Sequence, residues 1–187
     1  MDIPIGLGER APWTRECDRQ ARALLGRRGV CVFPPPIRQV LDVRDHKAAS
    51  NLSRRLTGAG LTRQAFAIAP KIADVDRSIG PADSDRVFEV HPEVCFCHMA
   101  DPPRPIPARK RKPNGRSLRK AALIREFGSE AMESAERARP RSDAGLEDLY
   151  DALAALWTAR RIARKEHRVI PACPPVDGRG LPMRIVY

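Results

Sequence analysis

A carboxylate inside a short apolar run, at residues 87–93, limits the folds open to this chain more than any other feature. The run reads Val-Phe-Glu-Val-His-Pro-Glu, and valine and phenylalanine favour strands. Pro92 has no backbone N–H, so the predicted strand ends near His91. Val87, Glu89 and His91 then share one face. If that face is buried, Glu89 must be protonated, paired or bound to a metal. If it faces water, Glu89 carries no such constraint.

Apolar periodicity and turn residues predict the remaining elements of the chain. Thr14 can cap the first helix and Asp143 the last one, because both side chains can accept from backbone N–H groups. Pro70 should kink or delay the helix that contains it. The predicted helices are 14–25, 64–77, 118–127 and 146–167, and the predicted extended segments are 2–7, 30–33 and 182–187.

The charge of the chain favours polyanionic partners. Its 34 Lys and Arg residues outnumber its 23 Asp and Glu residues, which gives a net charge of +11. Nucleic acid is the natural partner class for such a balance, and the alternative is a basic surface without a ligand. Residues 102–125 contain nine basic residues and no acid, and they predict either a phosphate-binding basic loop or a solvated linker. The candidate nucleic-acid-binding residues in this loop are Arg109, Lys110, Arg111, Lys112, Arg116 and Arg119.

Composition also argues against several other classes of protein. Aromatic residues make up only 5% of the chain, which disfavours a single-strand binder built on base stacking. The sequence contains no apolar run of about 18 residues and no signal pattern, so we expect no membrane partner and a cytoplasmic location. The five cysteines are odd in number and scattered, which is typical of reduced thiols.

Cysteine and histidine side chains lie close together in the sequence just after residue 90. His91, Cys95, Cys97 and His98 could in principle supply four zinc ligands. The Cys-x-Cys-His spacing lacks the usual two-residue gap, and buried unmodified cysteines are common. No zinc is therefore expected.

Acidic residues on separate predicted elements could meet at one site. Asp2 opens the first extended segment, Glu89 lies in the predicted strand, and Asp148 and Asp151 lie on the last helix. Mg²⁺ and Mn²⁺ prefer oxygen ligands, and shared carboxylates can hold two such ions for phosphodiester hydrolysis. Because scattered acids occur in every soluble protein, their spacing alone leaves this hypothesis open.

Short motifs spread almost from end to end carry a resemblance to a known family. They occupy residues 2–7, 17–19, 32–34, 64–66, 71–72, 75–76, 88–93, 115–116, 148, 151–152 and 180–187. With these residues the chain resembles an uncharacterised family of predicted nucleases that have an RNase H-like fold. The resemblance implies an α/β protein, with one three-layer RNase H-like domain over residues 1–187, and a metal-dependent nuclease activity on phosphodiesters.

The same resemblance implies roles for individual residues. Asp2, Glu89 and Asp151 would be catalytic, and together with Asp148 they would hold Mg²⁺ or Mn²⁺. His91 and Glu93, which lie beside Glu89 in the matching motif, are further candidates for the site.

The sequence departs from the family at its beginning. Members begin with a hairpin whose first strand carries Asp-Gly and whose second carries Gly-Trp, and this sequence has neither. The resemblance therefore implies an N-terminally truncated fold that lacks central strands and one metal ligand. We expect the coding sequence to start upstream of Met1, the alternative being a natural remnant. The competing functions are a non-catalytic nucleic-acid-binding module and an inactive fragment.

Overall fold

The computed structural model describes residues 1–9, 13–139 and 145–187, and most of these residues are helical. Two short strands, β1 (Val169–Ile170) and β2 (Ile185–Val186), pair antiparallel. Turns of 3-10 helix occupy Gly26–Cys31, Arg38–Val40 and Pro81–Asp83. The α-helices are α1 (Glu16–Leu25), α2 (His46–Thr57), α3 (Arg63–Ser78), α4 (Pro92–His98), α5 (Pro113–Phe127), α6 (Ser129–Ala138) and α7 (Leu146–Ala163).

The predicted three-layer α/β fold of the RNase H-like type is wrong. Within the described ranges the sheet consists of β1 and β2 alone, and each strand is two residues long. The predicted extended segment at 2–7 contains Pro4, which cannot donate to a sheet, and it forms no strand. The extended segment predicted at 30–33 is also wrong at Val30 and Cys31, which lie in a 3-10 turn.

The predicted strand at residues 87–93 is replaced by a short extended segment and the start of a helix. Pro92 begins α4, a first-turn position at which the missing N–H costs no hydrogen bond. The backbone of residues 88–90 forms hydrogen bonds with two other segments of the chain. The Met1 ammonium group donates to the Phe88 carbonyl at 2.7 Å, Val90 N–H donates to the Met1 carbonyl at 2.9 Å, and Val186 N–H donates to the Glu89 carbonyl at 2.9 Å. Residues 88–90 therefore lie between the first residues and β2.

The largest apolar cluster forms where α1, α4, α5 and α7 meet. Its buried members include Cys17 of α1, Phe96 of α4, Leu123 of α5 and Ala154 of α7. Residues 92–97 of α4 are all buried, so this short helix is covered on every side. The cluster fixes α4 and α7 against each other, and both helices border the cleft described below.

Two smaller apolar clusters hold α2 and α3. Leu7 packs with Ile72, and Val40 packs with Ala49 and Ala65. The helix predicted at 64–77 is confirmed, and it continues as α3 through Pro70. The predicted helices at 14–25, 118–127 and 146–167 correspond to α1, α5 and α7, and β2 falls within the extended segment predicted at 182–187.

The ends of the helices are defined by short local hydrogen bonds. The Asp45 side chain accepts from Ala48 N–H at 2.8 Å at the start of α2, and Thr62 accepts from Ala65 N–H at 3.1 Å at the start of α3. Thr14, the predicted cap of α1, lies one residue before the observed cap position, which is Arg15. Asp143, the predicted cap of α7, lies outside the described residues.

Candidate functional site

A cleft of about 410 Å³ opens between the first residues of the chain, α1, α3, the segment before α4, and α7. The apolar clusters described above fix these elements, and each element contributes at least one residue to the lining of the cleft. The cleft contains most of the acidic residues that the sequence singles out. Those of the candidate residues that line it are Asp2, Glu89, His91, Glu93, Asp151 and Lys110.

Glu89 lies on one wall of this cleft, where three donors hold its carboxylate. Arg15 Nη1 donates to Oε2 and Arg15 Nη2 donates to Oε1, each at 2.7 Å. Ile5 N–H also donates to Oε2 at 2.7 Å. Only 6% of Glu89 is exposed. The buried Glu89 carboxylate is therefore paired, through a bidentate ion pair with an arginine.

Arg15 is buried as well and joins two carboxylates. Its Nε and Nη2 donate to the two Asp18 oxygens at 2.8 and 2.6 Å, and its Nη1 also reaches the Ile5 carbonyl at 3.1 Å. Burial by itself would lower the pKa of Arg15, but attraction to Glu89 and Asp18 outweighs burial and raises that pKa well above its ordinary value. Arg15 is therefore a permanent buried cation at the base of the cleft.

Asp2 and Asp151 form the acidic part of the cleft, together with Lys110. Lys110 Nζ lies 2.5 Å from Asp151 Oδ2. Asp2 keeps contact with solvent at the cleft, although protein atoms crowd its carboxyl group. Burial and then the negative charge of Asp151 raise the pKa of Asp2 to about 7, although Lys110 opposes the shift. Burial also raises the pKa of Asp151, again against the effect of Lys110. The two acids are thus close enough to repel each other.

Only some of the acids in the cleft are available to a divalent ion. Among the described residues, no group of three or more His, Cys, Asp or Glu side chains is arranged to hold a metal. Both Glu89 oxygens are taken by Arg15, so a two-metal cluster that includes Glu89 does not fit. Asp2 and Asp151 are the two acids lining the cleft that no arginine holds in the described structure, and one or two carboxylates is the number that Mg²⁺ commonly uses beside water and substrate phosphate.

The comparison with known proteins identifies a family for this chain. Residues 1–176 match the family described as "Protein of unknown function (DUF429)". The chain belongs to this family. No curated protein and no solved structure matches the sequence. The family description names neither an activity nor a fold, and the matched residues include Asp2, Arg15, Glu89 and Asp151.

Asp148 stands apart from the other acids of this DUF429 chain. It does not line the cleft, and its Oδ2 accepts from Gly145 N–H at 2.9 Å at the start of α7. A carboxylate in the first turn of a helix satisfies a free N–H group and interacts favourably with the helix dipole. The predicted role of Asp148 as a metal ligand therefore has no support from its position, whereas Asp151, one turn later, does reach the cleft.

The basic segment of the DUF429 chain divides into surface residues and one interior anchor. Arg109, Arg111 and Lys112 are exposed on either side of Lys110. Arg116 is half-buried and pairs with Glu147 at 3.2 Å. Residues from 113 onward lie in α5, so only the first half of the predicted basic loop is a loop.

Arg119 is the interior anchor of this segment. Only 1% of Arg119 is exposed, and its Nη2 donates to both Glu93 oxygens at 2.6 and 2.7 Å. Its Nη1 donates to the carbonyls of Ala108 and Gly115 at 3.1 and 2.8 Å. A Cβ atom at residue 115 would collide with the Arg109 carbonyl, so glycine is needed for this close approach. Arg119 therefore positions the loop that carries Lys110 and cannot contact nucleic acid in this conformation.

In this DUF429 chain His91 lines the cleft, and Cys95 and His98 lie further along α4. Burial lowers the pKa of His91, and its Nδ1 has no hydrogen-bond partner in the described part of the chain. Cys95 Sγ contacts Thr158 Oγ1 at 3.2 Å, and His98 Nδ1 lies 3.0 Å from the Val94 carbonyl. These contacts account for Cys95 and His98 as side chains packed within the helical core.

Sequence reasoning missed Arg15, Asp18, Arg28 and Lys71, all of which line the cleft. One signal was available for the first pair, because arginine and aspartate three residues apart at the start of a helix are neighbours on its surface. No pattern could link Arg15 to Glu89, since 74 residues separate them. In the described chain, no helix is both long and apolar enough to cross a membrane.

Proposed function

We propose that this chain is a metal-dependent nuclease that acts on phosphodiesters, with Asp2 and Asp151 as its metal-binding carboxylates. The observation that carries the proposal is the acidic pair in the cleft, where Lys110 lies against Asp151 at 2.5 Å and Asp151 raises the pKa of Asp2. Crowded carboxylates of this kind are stabilised by a nearby cation. A pair of acids with displaced pKa values in a cleft is also typical of functional sites.

A Mg²⁺ or Mn²⁺ ion bound by Asp2 and Asp151 would supply positive charge for an oxygen of the scissile phosphate. Lys110 is placed to contribute a second positive charge, because its Nζ already lies beside the same carboxylate. Without a metal, the pKa of Asp2 is about 7, so a divalent cation would compete with a proton for this carboxylate near neutral pH.

Glu89 has a positioning role in this proposal. Its carboxylate accepts a hydrogen bond from the N–H of Ile5, three residues after Asp2. Its backbone carbonyl accepts a hydrogen bond from the N–H of Val186. Glu89 therefore connects the first residues of the chain to β2 and holds the segment that carries Asp2. This role replaces direct metal binding because Arg15 occupies both of its oxygens.

The basic loop supports nucleic acid as the substrate. Arg109, Arg111 and Lys112 are exposed, and they flank the lysine that enters the cleft. Such a group of cations binds the phosphate backbone without reading its sequence. The net charge of +11 acts in the same direction by attracting a polyanion over a longer range.

A second candidate is a nucleic-acid-binding module without catalytic activity. The ion pair between Lys110 and Asp151 favours it, because the lysine already neutralises one of the two acids. This candidate keeps the same basic loop but requires no divalent ion. Binding would then be strongly salt-dependent and insensitive to a chelator.

The two candidates are separated by a cleavage assay with matched variants. A single-stranded DNA oligonucleotide and a single-stranded RNA are incubated with the protein and Mn²⁺ or Mg²⁺, with EDTA as the parallel condition. Asp2→Asn and Asp151→Asn should each lower the cleavage rate by about 100-fold or more, as expected for loss of transition-state charge stabilisation. Asp148→Asn is the matched control, since Asp148 lies outside the cleft and asparagine keeps an acceptor for Gly145 N–H.

Each outcome of this assay points to one candidate. Equal cleavage by wild type, Asp2→Asn and Asp151→Asn would show that the acidic pair is not catalytic and that the nuclease proposal is wrong. Binding without any cleavage, unchanged by EDTA, would support the non-catalytic module.

A further inference from the structure

The cleft contains four basic side chains that differ in whether they have a partner. Arg15 pairs with Glu89 and Asp18, and Lys110 pairs with Asp151. The side chains of Arg28 and Lys71 line the same cleft but form no ion pair or hydrogen bond with any residue in the described ranges. Two positive charges are therefore available to a ligand.

Arg28 differs from Arg116, Arg119 and Arg161, whose Nε atoms are also buried without a partner. Arg116, Arg119 and Arg161 each donate through a terminal nitrogen, to Glu147, Glu93 and the Glu166 carbonyl respectively. Arg28 makes no such bond within the described part of the chain. A buried donor without a partner is costly, so an anion that enters the cleft and accepts from Arg28 Nε would offset this cost.

The electrostatic surroundings of Arg28 favour a ligand with a strong negative charge. Arg28 follows α1 in the 3-10 turn Gly26–Cys31. Burial and then Glu93 raise the pKa of the nearby Cys31 thiol, and the positive charge of Arg28 opposes this shift. Glu93 is already neutralised by Arg119, so it does not compete for Arg28. Arginine binds phosphate through two parallel N–H bonds, which gives orientation as well as charge.

The remaining walls of the cleft are suited to the other parts of a nucleotide. Phe33 and Ile68 are half-buried and present apolar surface, and Gln64 on α3 adds an amide that can both donate and accept. Small-molecule sites usually have volumes of about 300 to 1,000 Å³, and this cleft, at about 410 Å³, lies near the lower end. A single nucleotide fits such a space, whereas a duplex does not.

We infer that the cleft binds one nucleoside monophosphate group, with its phosphate on Arg28 and Lys71 and its base or sugar against Phe33 and Ile68. The inference rests on the proposed nuclease function and specifies its substrate. The required group occurs both as a free mononucleotide and as the phosphorylated end of a strand. A strand end bound in this way would lie in the cleft that also contains Asp2 and Asp151.

Binding is measured by isothermal titration calorimetry in EDTA, so that cleavage does not contribute. The probes are adenosine 5′-monophosphate and one short DNA strand, prepared with either a 5′-phosphate or a 5′-hydroxyl. Arg28→Gln and Lys71→Gln should each weaken binding of the phosphorylated probe by about tenfold, which corresponds to 1.4 kcal/mol. The matched control is Arg27→Gln, because Arg27 is the exposed neighbour of Arg28 and does not line the cleft.

The source of the phosphate is decided by the wild-type protein. Tight binding of adenosine 5′-monophosphate assigns a free mononucleotide, and preference for the phosphorylated strand over both other probes assigns a strand end. Either result, together with the loss in Arg28→Gln and not in Arg27→Gln, supports the inference. If Arg28→Gln does not fold, binding is measured instead with Lys71→Gln, at an exposed position, and with Arg28→Lys, which keeps the charge. Weaker binding of the phosphorylated probe by Lys71→Gln than by Arg27→Gln then supports the inference.

Two results would overturn the inference. One is equal affinity of wild type, Arg28→Gln, Lys71→Gln and Arg27→Gln, and the other is failure of all phosphorylated probes to bind more tightly than the hydroxyl strand. Failure of the nuclease proposal is distinguishable, because it appears as phosphate binding at Arg28 without cleavage in Mn²⁺. Cleavage that depends on Asp151 but not on Arg28 would instead refute the phosphate subsite alone.

Discussion

Arg15 and Glu89 form a buried bidentate ion pair in which both N–O distances are 2.7 Å. This pair connects the start of α1 to the segment before α4, and Glu89 also receives the N–H of Ile5. The acid at the centre of the most constrained sequence segment therefore holds the wall of the cleft. The acids lining the cleft that no arginine holds in the described structure are Asp2 and Asp151, and Asp151 pairs with Lys110.

Replacement of Arg15 should cost more stability than replacement of Glu89. Arg15→Met leaves Glu89 and Asp18 buried without a cation, so the free energy of unfolding should fall by about 3 to 5 kcal/mol. Glu89→Gln should cost less, because Asp18 still pairs with Arg15 and the glutamine carbonyl can still accept from Ile5 N–H. Urea denaturation followed by circular dichroism measures both changes.

A matched control for this comparison lies on the same helix. Arg19 pairs with Glu16 on the surface, and the Arg19 side chain is 75% exposed. Arg19→Met should leave the free energy of unfolding nearly unchanged, because exposed ion pairs contribute little. Equal losses in Arg15→Met and Arg19→Met would contradict the assignment of Arg15 as the buried anchor of the cleft.

The pKa of Asp2 should respond in opposite directions to changes in its two charged neighbours. Its pKa is raised to about 7 by burial and by Asp151, and Lys110 acts against this shift. Asp151→Asn removes the repulsion and should lower the pKa of Asp2. Lys110→Met removes a positive charge and should raise it. Titration of the ¹³C-labelled side-chain carboxyl by NMR, in the presence of EDTA, measures these shifts. A pKa of Asp2 near 4 in the wild type would contradict the acidic pair.

The same shift predicts how stability depends on pH. The pKa of Asp2 is higher in the folded protein than its ordinary value of 3.8, so the folded state binds the proton more tightly. The contribution of neutral Asp2 to stability is fully present below pH about 4 and is lost as the pH rises through about 7. Asp2→Asn does not titrate, so its stability relative to wild type should increase between pH 4 and pH 8. Thermal unfolding at several pH values checks the sign.

Arg119→Met should destabilise the protein through the loss of an interior pair. Glu93 would remain buried without a partner, and breaking such a pair costs about 3 to 5 kcal/mol. Arg111→Met, at an exposed position in the same segment, should have little effect on stability. Chemical denaturation distinguishes the two. Equal stability of both variants would return Arg119 to the surface set predicted from the sequence.

Helices α1, α3, α5 and α7 were predictable because their signals are local. Alanine, leucine and charged residues fill α7, and Thr62 precedes α3 as a capping residue. The segment at 87–93 has a signal that is equally local but has two interpretations, since Pro92 can end a strand or begin a helix. In the structure this segment begins the helix α4, which is buried on every side. That burial depends on packing partners distant in sequence.

The candidate site was only partly predictable for a similar reason. The sequence predicted that Asp2, Glu89 and Asp151 share one site, and all three line the cleft. Which acid is neutralised depends on distances between elements, and the sequence does not contain them. Arg15 therefore went unnoticed, and Arg119 was grouped with the surface cations although it lies beside Glu93.

The exposed cations around Lys110 should determine how strongly nucleic-acid binding depends on salt. Each lysine or arginine that contacts a phosphate of duplex DNA changes the slope of log K against log salt by about 0.9. Replacing Arg109, Arg111 and Lys112 together with alanine should therefore weaken binding and reduce the magnitude of the slope by about 2 to 3 if all three contact phosphate. Fluorescence anisotropy with labelled DNA over a range of salt concentrations measures the slope.

The control for this experiment removes the same net charge at a distance from the cleft. Arg44, Lys47 and Arg55 are exposed near or on α2, and none of them lines the cleft. Their triple alanine variant should keep the wild-type slope, because long-range attraction contributes less than direct phosphate contact at physiological salt. Equal slopes in the two triple variants would show that binding follows net charge alone and that the loop beside Lys110 is not the nucleic-acid interface.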